Sequence, residues 1–482
     1  MEKKKVYMVL LLILLLGAFL RFYNIGKESF WLDEGLTGLV IKKFNSGQIV
    51  ENTYKGGQIL PGYFVSNLDL PIYYILVKIW TNLFGITEAS VRMISAIFGS
   101  LSIVLVFFLG KELFNEKIGL IATFFFSLNI TMIEYSQEAR LYSMLVFITL
   151  LSGYYLLRFL NTGRKLYFAI FIISNIVGIY THYPYVFFIL FEAAYVTYLI
   201  FSKYGLNIPA LLHRRNKIMG AHLKKIYFGF AVLFFAYLPL ISRLLNPKLV
   251  PAHFSGTASI SNFAKMFVQL NGWIYPSPEA ISRLKNAEFG SFAIGDWILV
   301  MSFGLLALLL LGLFILGIWN RNYKKEQLSY VLSWFFVPSL IASVALFSTI
   351  SSFGSVRYII FVVPAYIVIS SYGISKLNIR ISTIALLLFA CFSIAPIVSY
   401  YSNVNNPQYR EAAEFIHQNI KDGDVILANI ESVRVPLEYY FGDSEKIYGI
   451  SNVEDINLGI DKKFIWLVSS MTVYSGQSDD IR

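Results

Sequence analysis

Five short stretches of this chain combine residue types that can move protons or hold anions. Asp33 and Glu34 stand side by side in Ser29-Phe-Trp-Leu-Asp-Glu-Gly35, directly after Phe30 and Trp31. Asp69 precedes Pro71 and the aromatic pair Tyr73-Tyr74. The run Glu134-Tyr-Ser-Gln-Glu138-Ala-Arg140-Leu-Tyr142 holds two acids and an arginine, Thr181-His182-Tyr183-Pro184-Tyr185 holds a histidine, and Arg357-Tyr358 is followed by Pro364. A carboxylate can take a proton from a hydroxyl, and an imidazole can transfer a proton or bind a metal. A guanidinium fork grips phosphate at two points. Each stretch also has a plainer reading. Adjacent acids suit a solvated loop, and Asp69 suits a helix start. Glu134 or Glu138 can pair with Arg140, His182 can be an interfacial hydrogen-bonder, and Arg357 can anchor at a bilayer surface. The elements presenting these residues decide between the readings.

Of 482 residues, 56% are hydrophobic and 14% charged, with mean hydropathy +0.61. Soluble domains carry about 45–50% apolar and 25% charged residues, so this is a membrane protein. The single cysteine, Cys391, excludes an intrachain disulfide framework and any Cys-ligated zinc or iron–sulfur site. Disordered and collagen-like classes are excluded as well. A spanning helix needs about 20 mostly apolar residues. Eleven such spans are expected, at roughly 6–24, 93–110, 117–133, 141–158, 166–181, 184–201, 226–245, 297–319, 328–349, 358–375 and 381–399. The first follows Met1-Glu-Lys-Lys-Lys5 but lacks a small-x-small cleavage site, so it reads as a helix and not as a signal peptide. The stretch 71–84 has 14 residues and includes Lys78, Thr81 and Asn82, which predicts an amphipathic helix in the interface.

Counting Lys and Arg orients the spans. With the N-terminus inside, the inner segments hold 19 in 58 residues and the outer ones 14 in 151. This asymmetry follows the positive-inside rule and supports the interfacial reading of 71–84. The net charge of +11 and pI near 9.3 therefore report orientation, and no nucleic-acid partner is expected. The protein is expected in the plasma membrane with a cytoplasmic N-terminus.

Residues 1–400 are expected to form the membrane domain and 401–482 a small α/β module outside. Within that module, 408–420 has helical spacing, and 425–428 and 464–468 are strand-like. The chain ends on Ser478-Asp-Asp-Ile-Arg482, a helix-start signature without its helix, as a truncated reading frame would. Two outer loops, 25–92 and 246–296, are long enough to carry function. Glu192, mid-way along the sixth span, is a functional candidate with no partner visible in the sequence. Asn129-Ile-Thr131 matches a glycosylation acceptor but lies too close to the membrane to serve as one.

With sides assigned, all five stretches lie at one depth on the outer face. Such an arrangement suits an enzyme that holds a lipid tail between helices, neutralises a phosphate at the interface and presents a carboxylate to a water-soluble acceptor. For glycosyl transfer the carboxylate takes the acceptor's proton while the phosphate leaves, stabilised by arginine or a metal.

The sequence resembles the GT-C superfamily of polyprenyl-phosphate-sugar glycosyltransferases, in the branch of protein O-mannosyltransferases and lipid A aminoarabinose transferases. The carrying motifs are Arg21…Trp31-Leu-Asp33-Glu34, Asp69-Leu-Pro71-Ile-Tyr73-Tyr74, Gly85…Arg92, Glu138-Ala-Arg140-Leu-Tyr142, Thr181-His182-Tyr183 and Arg357-Tyr358…Pro364. The resemblance implies an all-α polytopic membrane protein with about eleven transmembrane helices, interfacial helices in the first outer loop and the outer α/β module. It implies Asp33 as the catalytic carboxylate with Glu34 beside it, a donor sugar on dolichyl or undecaprenyl phosphate, and inversion at the anomeric centre. Arg140 or Arg357, with Tyr358, would hold the donor phosphate, and Trp31, Tyr73, Tyr74 and Tyr183 would line the sugar and acceptor pocket. Metal use varies across the superfamily; Asp69, Glu138 and His182 are the groups that would take Mg, Mn or Zn. The acceptor would be a protein, a lipid or a glycan. The rival readings are an oligosaccharyltransferase or glycan ligase of the same architecture and, from another class, a transporter or flippase of a lipid-linked substrate. The transporter would need midplane polar groups and inverted repeats, and no repeat is visible.

Overall fold

A computed structural model describes residues 2–55, 57–60, 63–65, 70–204, 217–244, 270–271, 294–319, 325–347, 356–429, 431–442, 446–449 and 465–468. The chain divides into two compact units that interleave in sequence. Met1–Asn24, Asp69–Tyr73 and Arg92–Asn403 belong to the first, and Ile25–Leu68, Tyr74–Val91 and Val404–Arg482 to the second. In chain order the elements begin with α1 (Lys3–Phe22), α2 (Leu32–Lys43), α3 (Ser46–Lys55), β1 (Gly57–Leu60), β2 (Tyr63–Val65), α4 (Pro71–Phe84), α5 (Glu88–Leu113), α6 (Glu116–Leu128), α7 (Ile130–Gln137) and α8 (Tyr142–Thr162). They continue with α9 (Lys165–Ile179), α10 (Tyr185–Tyr204), α11 (Lys217–Leu244), α12 (Ile294–Trp319), α13 (Lys325–Phe347), α14 (Val363–Ile374) and α15 (Ile379–Ser402). The last are α16 (Tyr409–Asn419), β3 (Val425–Ala428), α17 (Glu431–Phe441), β4 (Ile447–Gly449) and β5 (Ile465–Val468).

Each of the eleven expected spans coincides with a helical segment, but they are not equal. Among the described residues seven helices are long and apolar enough to cross a membrane, or eight if the bent pair α6–α7 counts as one span. The length of a helix explains part of the difference: α9 has 15 residues, about 22 Å at 1.5 Å per residue, against a hydrocarbon core of about 30 Å. Burial explains another part. Every residue of α14 is buried, so this helix is packed in protein and need not match the lipid thickness. The exposed stripe of α1, which includes Leu11, Leu12, Leu15 and Phe19, is by contrast apolar enough to require lipid.

The interfacial helix forms as expected. α4 begins with Pro71, whose fixed φ and missing N–H suit a first helical position, and runs for 14 residues. Tyr73, Tyr74 and Val77 are buried, while Leu83 and Phe84 are exposed, the pattern of a helix lying in a boundary. It ends at Gly85, whose φ of +84° is a left-handed conformation that other residues adopt only at a cost.

In the second unit the residues beyond 404 fold as a small parallel sheet of order β4-β3-β5 with α16 and α17. Ile426 pairs with Ile447 on one side and with Trp466 on the other. β3 is central and fully buried, as a strand covered on both faces should be. Ala413, Ile416, Ile426, Leu437, Phe441 and Ile447 make its core. This module shares its unit with the first outer loop: a Cβ at Gly35 of α2 would lie 2.8 Å from Pro436 Cα, and one at Gly38 would lie 2.8 Å from the Tyr439 ring. The two glycines let α2 press on α17. Phe30 N donates to the Tyr440 hydroxyl at 2.7 Å, and Lys43 meets Glu438 at 2.6 Å.

Candidate active site

A break in the third span sets the polar end of the first unit. Asn129 stops α6, and its side-chain oxygen accepts from Met132 N at 3.1 Å, capping α7. The two helix axes differ by 57°. Arg21, buried at the end of α1, donates to the carbonyls of Phe126 and Ser127, both at 3.3 Å, so a cation meets the negative end of α6. Gln137, the last residue of α7, donates to the carbonyls of Leu20, Arg21 and Tyr23 at 3.1, 3.3 and 2.7 Å. A short helix is thereby fastened to α1, and the chain passes straight into Glu138-Ala-Arg140. Asn129 is buried and used as a cap, in accord with its dismissal as a glycosylation acceptor.

The loop after α7 is held by its own backbone. Arg140 N donates to Glu138 O at 2.7 Å. The Arg140 carbonyl accepts from Ser95 Oγ at 2.9 Å, and Ser95 Oγ lies 2.8 Å from the Tyr73 hydroxyl. Tyr73, expected in the sugar pocket, is therefore buried beneath the loop and positions it through Ser95. Ser143 Oγ donates to Tyr135 O at 2.7 Å, closing the turn into α8.

Three segments distant in sequence meet here. The Arg140 guanidinium carbon lies 6.0 Å from the Tyr142 ring centre, Tyr142 meets the His182 ring edge to face at 6.1 Å, and His182 stacks on Tyr358 at 6.1 Å and 17°. Tyr358 in turn lies 5.0 Å from the Arg357 guanidinium, which donates to its hydroxyl at 3.2 Å. A row of three rings thus runs between two arginines. Tyr135 packs on Tyr142 at 5.0 Å, and the charges of Glu134, Glu138 and Arg357 all act on its hydroxyl. The structure brings Arg140, His182, Arg357 and Tyr358 into this row, with Glu138 near Tyr135, and half-buried Tyr183 follows His182. It adds Tyr135, Tyr142 and Ser95. The two tyrosines stand seven residues apart in the acidic stretch, a spacing that hints at one helical face; Ser95 carries no sequence signal.

In the second unit α2 starts at half-buried Trp31, and Asp33 and Glu34 fill its first turn, where acids suit the positive helix end. Glu34 is buried and Asp33 half-buried, so Asp33 is the more accessible carboxylate. Thr37 Oγ1 donates to the Asp33 carbonyl at 3.1 Å. Tyr74 is buried in α4. Asp69 lies outside the described residues. Among the described residues no three His, Cys, Asp or Glu side chains gather as a metal site. Of the three expected metal-binding groups, Glu138 and His182 lie near this row and Asp69 is not among the described residues.

A family model described as dolichyl-phosphate-mannose-protein mannosyltransferase matches residues 70–213. That span includes Tyr73, Tyr74, Glu138, Arg140, His182 and Tyr183 but neither Asp33 nor Arg357. No curated protein matches by sequence. Solved structures match along most of the chain. ArnT from Cupriavidus metallidurans is similar at 12% identity and a TM-score of 0.59, with 93% of this chain and 87% of that one covered. The oligosaccharyltransferase of Archaeoglobus fulgidus is similar at 14% identity and a TM-score of 0.56, with 94% of this chain and 65% of that one covered. The oligosaccharyltransferase AglB from Archaeoglobus fulgidus, in complex with an inhibitory peptide and a dolichol-phosphate, matches at 14% identity and a TM-score of 0.55. This chain thus spans about two-thirds of the length of the archaeal enzyme. The fold is that of these polytopic membrane proteins.

Proposed function

We propose that this protein is an integral membrane glycosyltransferase that moves a sugar from a polyprenyl phosphate to a hydroxyl acceptor at the extracytoplasmic face, with its N-terminus in the cytoplasm. The observation that carries the reading is the row Arg140–Tyr142–His182–Tyr358–Arg357, with Glu134 and Glu138 beside it, at the polar ends of hydrophobic helices. Two planar cations framed by rings suit a phosphate bearing a flat or amphipathic substituent. The broken span and its cap suit irregular backbone lining a cavity at membrane depth, where it is tolerated.

In this reading Asp33, with Glu34 as its neighbour, accepts the proton of the acceptor hydroxyl. The acceptor oxygen attacks the anomeric carbon from the side opposite the phosphate, the bond from that carbon to the phosphate oxygen breaks, and configuration inverts. The leaving phosphate keeps the electron pair, and its charge is met by Arg140 and Arg357 with Tyr358. Trp31, Tyr74 and Tyr183 line the sugar and acceptor pocket, and Tyr73 supports the loop through Ser95. The acceptor is a protein, lipid or glycan.

Incubating the purified protein with a panel of radiolabelled dolichyl- and undecaprenyl-phosphate sugars tests this. Release of free polyprenyl phosphate with label in an acceptor is the expected result; no turnover with any monosaccharide donor overturns it. Oligosaccharyl transfer is the second reading, favoured by the likeness to the archaeal oligosaccharyltransferase over 94% of this chain. It predicts turnover only with a preassembled lipid-linked glycan.

A further inference from the structure

Glu192 lies midway along α10 and is fully buried. Its Oε1 accepts from Ser152 Oγ of α8 at 2.7 Å, and that hydroxyl accepts from Asn175 Nδ2 of α9 at 2.6 Å. The charge of Glu192 acts on the hydroxyls of Tyr185, at the start of α10, and Tyr330, on α13. All five side chains are buried. Glu192 Oε2, Asn175 Oδ1 and the Tyr330 hydroxyl have no hydrogen-bond partner among the described residues, while the Tyr185 hydroxyl faces Ser152. Buried polar atoms are nearly always partnered, so three such oxygens in one cluster need an explanation. The cluster is also built: a Cβ at Gly153 would lie 2.5 Å from the Tyr330 hydroxyl, and one at Gly178 would lie 2.3 Å from the Tyr185 ring. Two side-chain-free helix positions admit the two tyrosines.

We propose that this cluster is a binding site for one sodium ion. The donors are oxygens only, which suits a hard cation and not a soft metal. One carboxylate balances one positive charge, whereas a divalent ion of this kind is held by more acidic sets. No Lys, Arg or His pairs with Glu192 among the described residues, and intramembrane acids commonly mark ion sites. The occupied site ties α8, α9, α10 and α13 together. One turn beyond Tyr330, Trp334 Nε1 donates to Phe361 O at 2.7 Å, so the ion also braces the segment that follows Arg357 and Tyr358. The inference does not depend on the glycosyl-transfer reading.

The test is thermal unfolding of the full chain in nanodiscs at constant pH and ionic strength, with sodium chloride exchanged for potassium or choline chloride, and equilibrium binding of radioactive sodium. A melting temperature that rises saturably with sodium alone, and one bound ion per chain, are expected. Glu192→Gln should fold and lose both responses. Tyr330→Phe, which keeps the ring and removes one oxygen, should weaken sodium binding about tenfold. Identical melting in the three salts with no bound sodium overturns the proposal and leaves Glu192 a protonated acid. That outcome is readable on the unmutated protein even if Glu192→Gln does not fold.

Discussion

In the second unit charged side chains close on one another. Lys43 meets Glu438, Arg410 meets Glu88 at 2.9 Å and Glu411 at 2.8 Å, and Lys55 meets Glu51 at 2.8 Å. In the first unit Arg140 and Arg357 end a row of aromatic rings, and Glu192 lies among hydroxyls and an amide. Carboxylate partners seat one element on another and neutralise the charge. Ring faces hold a guanidinium in a fixed plane, a geometry that suits two-point contact with a phosphate. The contrast is between charges clamped by opposite charges and charges oriented by rings.

Four substitutions break or sharpen that contrast. The largest effect is expected at Asp33, the half-buried acid assigned to chemistry. Asp33→Asn should lower the transfer rate by about 10²- to 10⁴-fold while expression and lipid binding persist. Full activity in that variant would remove Asp33 from the mechanism. Next, Arg357→Ala should weaken binding of the polyprenyl-phosphate donor about 10- to 100-fold, the range of one or two hydrogen bonds to a charged group. Unchanged donor affinity in a filter-binding assay would return Arg357 to the role of an anchor. Lys43→Ala leaves Glu438, which is 3% exposed, with only the longer 3.8 Å contact to Arg434 and should destabilise the second unit by about 1–3 kcal/mol. Glu438→Gln in the same chain should recover part of that loss, and a denaturant series on both variants reads it. Arg410→Ala removes a half-buried cation that meets Glu88 and Glu411 and donates to the Lys27 carbonyl, and should cost about 1 kcal/mol, less in high salt. A much larger, salt-independent loss would mean that the Lys27 carbonyl bond outweighs the two ion pairs.

Local sequence made some of this architecture legible. Hydropathy places a helical segment at each of the eleven expected spans, and the 14 residues of α4 are too few to cross a bilayer. The helix 409–419 and the strand 425–428 followed from periodicity and the turn at Gly423. What was hidden depends on distant partners. Residues 35 and 436 are four hundred positions apart, and only the missing side chain of Gly35 hints that something presses there. Hydropathy marks a helix buried in protein, such as α14, in the same way as one in lipid. Glu192 showed its charge but not its partners, because Ser152 and Asn175 are ordinary residues on other helices. Asn129 carried two readings, and only the 57° bend shows that it is a cap.

The seating of α2 on α17 has a consequence for biosynthesis. Phe30 is hydrogen-bonded to Tyr440, 410 positions later in the chain. At about 5–20 residues per second of synthesis, the stretch around Asp33 waits roughly 20–80 s after emerging before its partner helix exists. The nascent polypeptide therefore carries the membrane helices up to α15 before α17 exists, so a ribosome that stalls early releases a chain in which α2 has no seat.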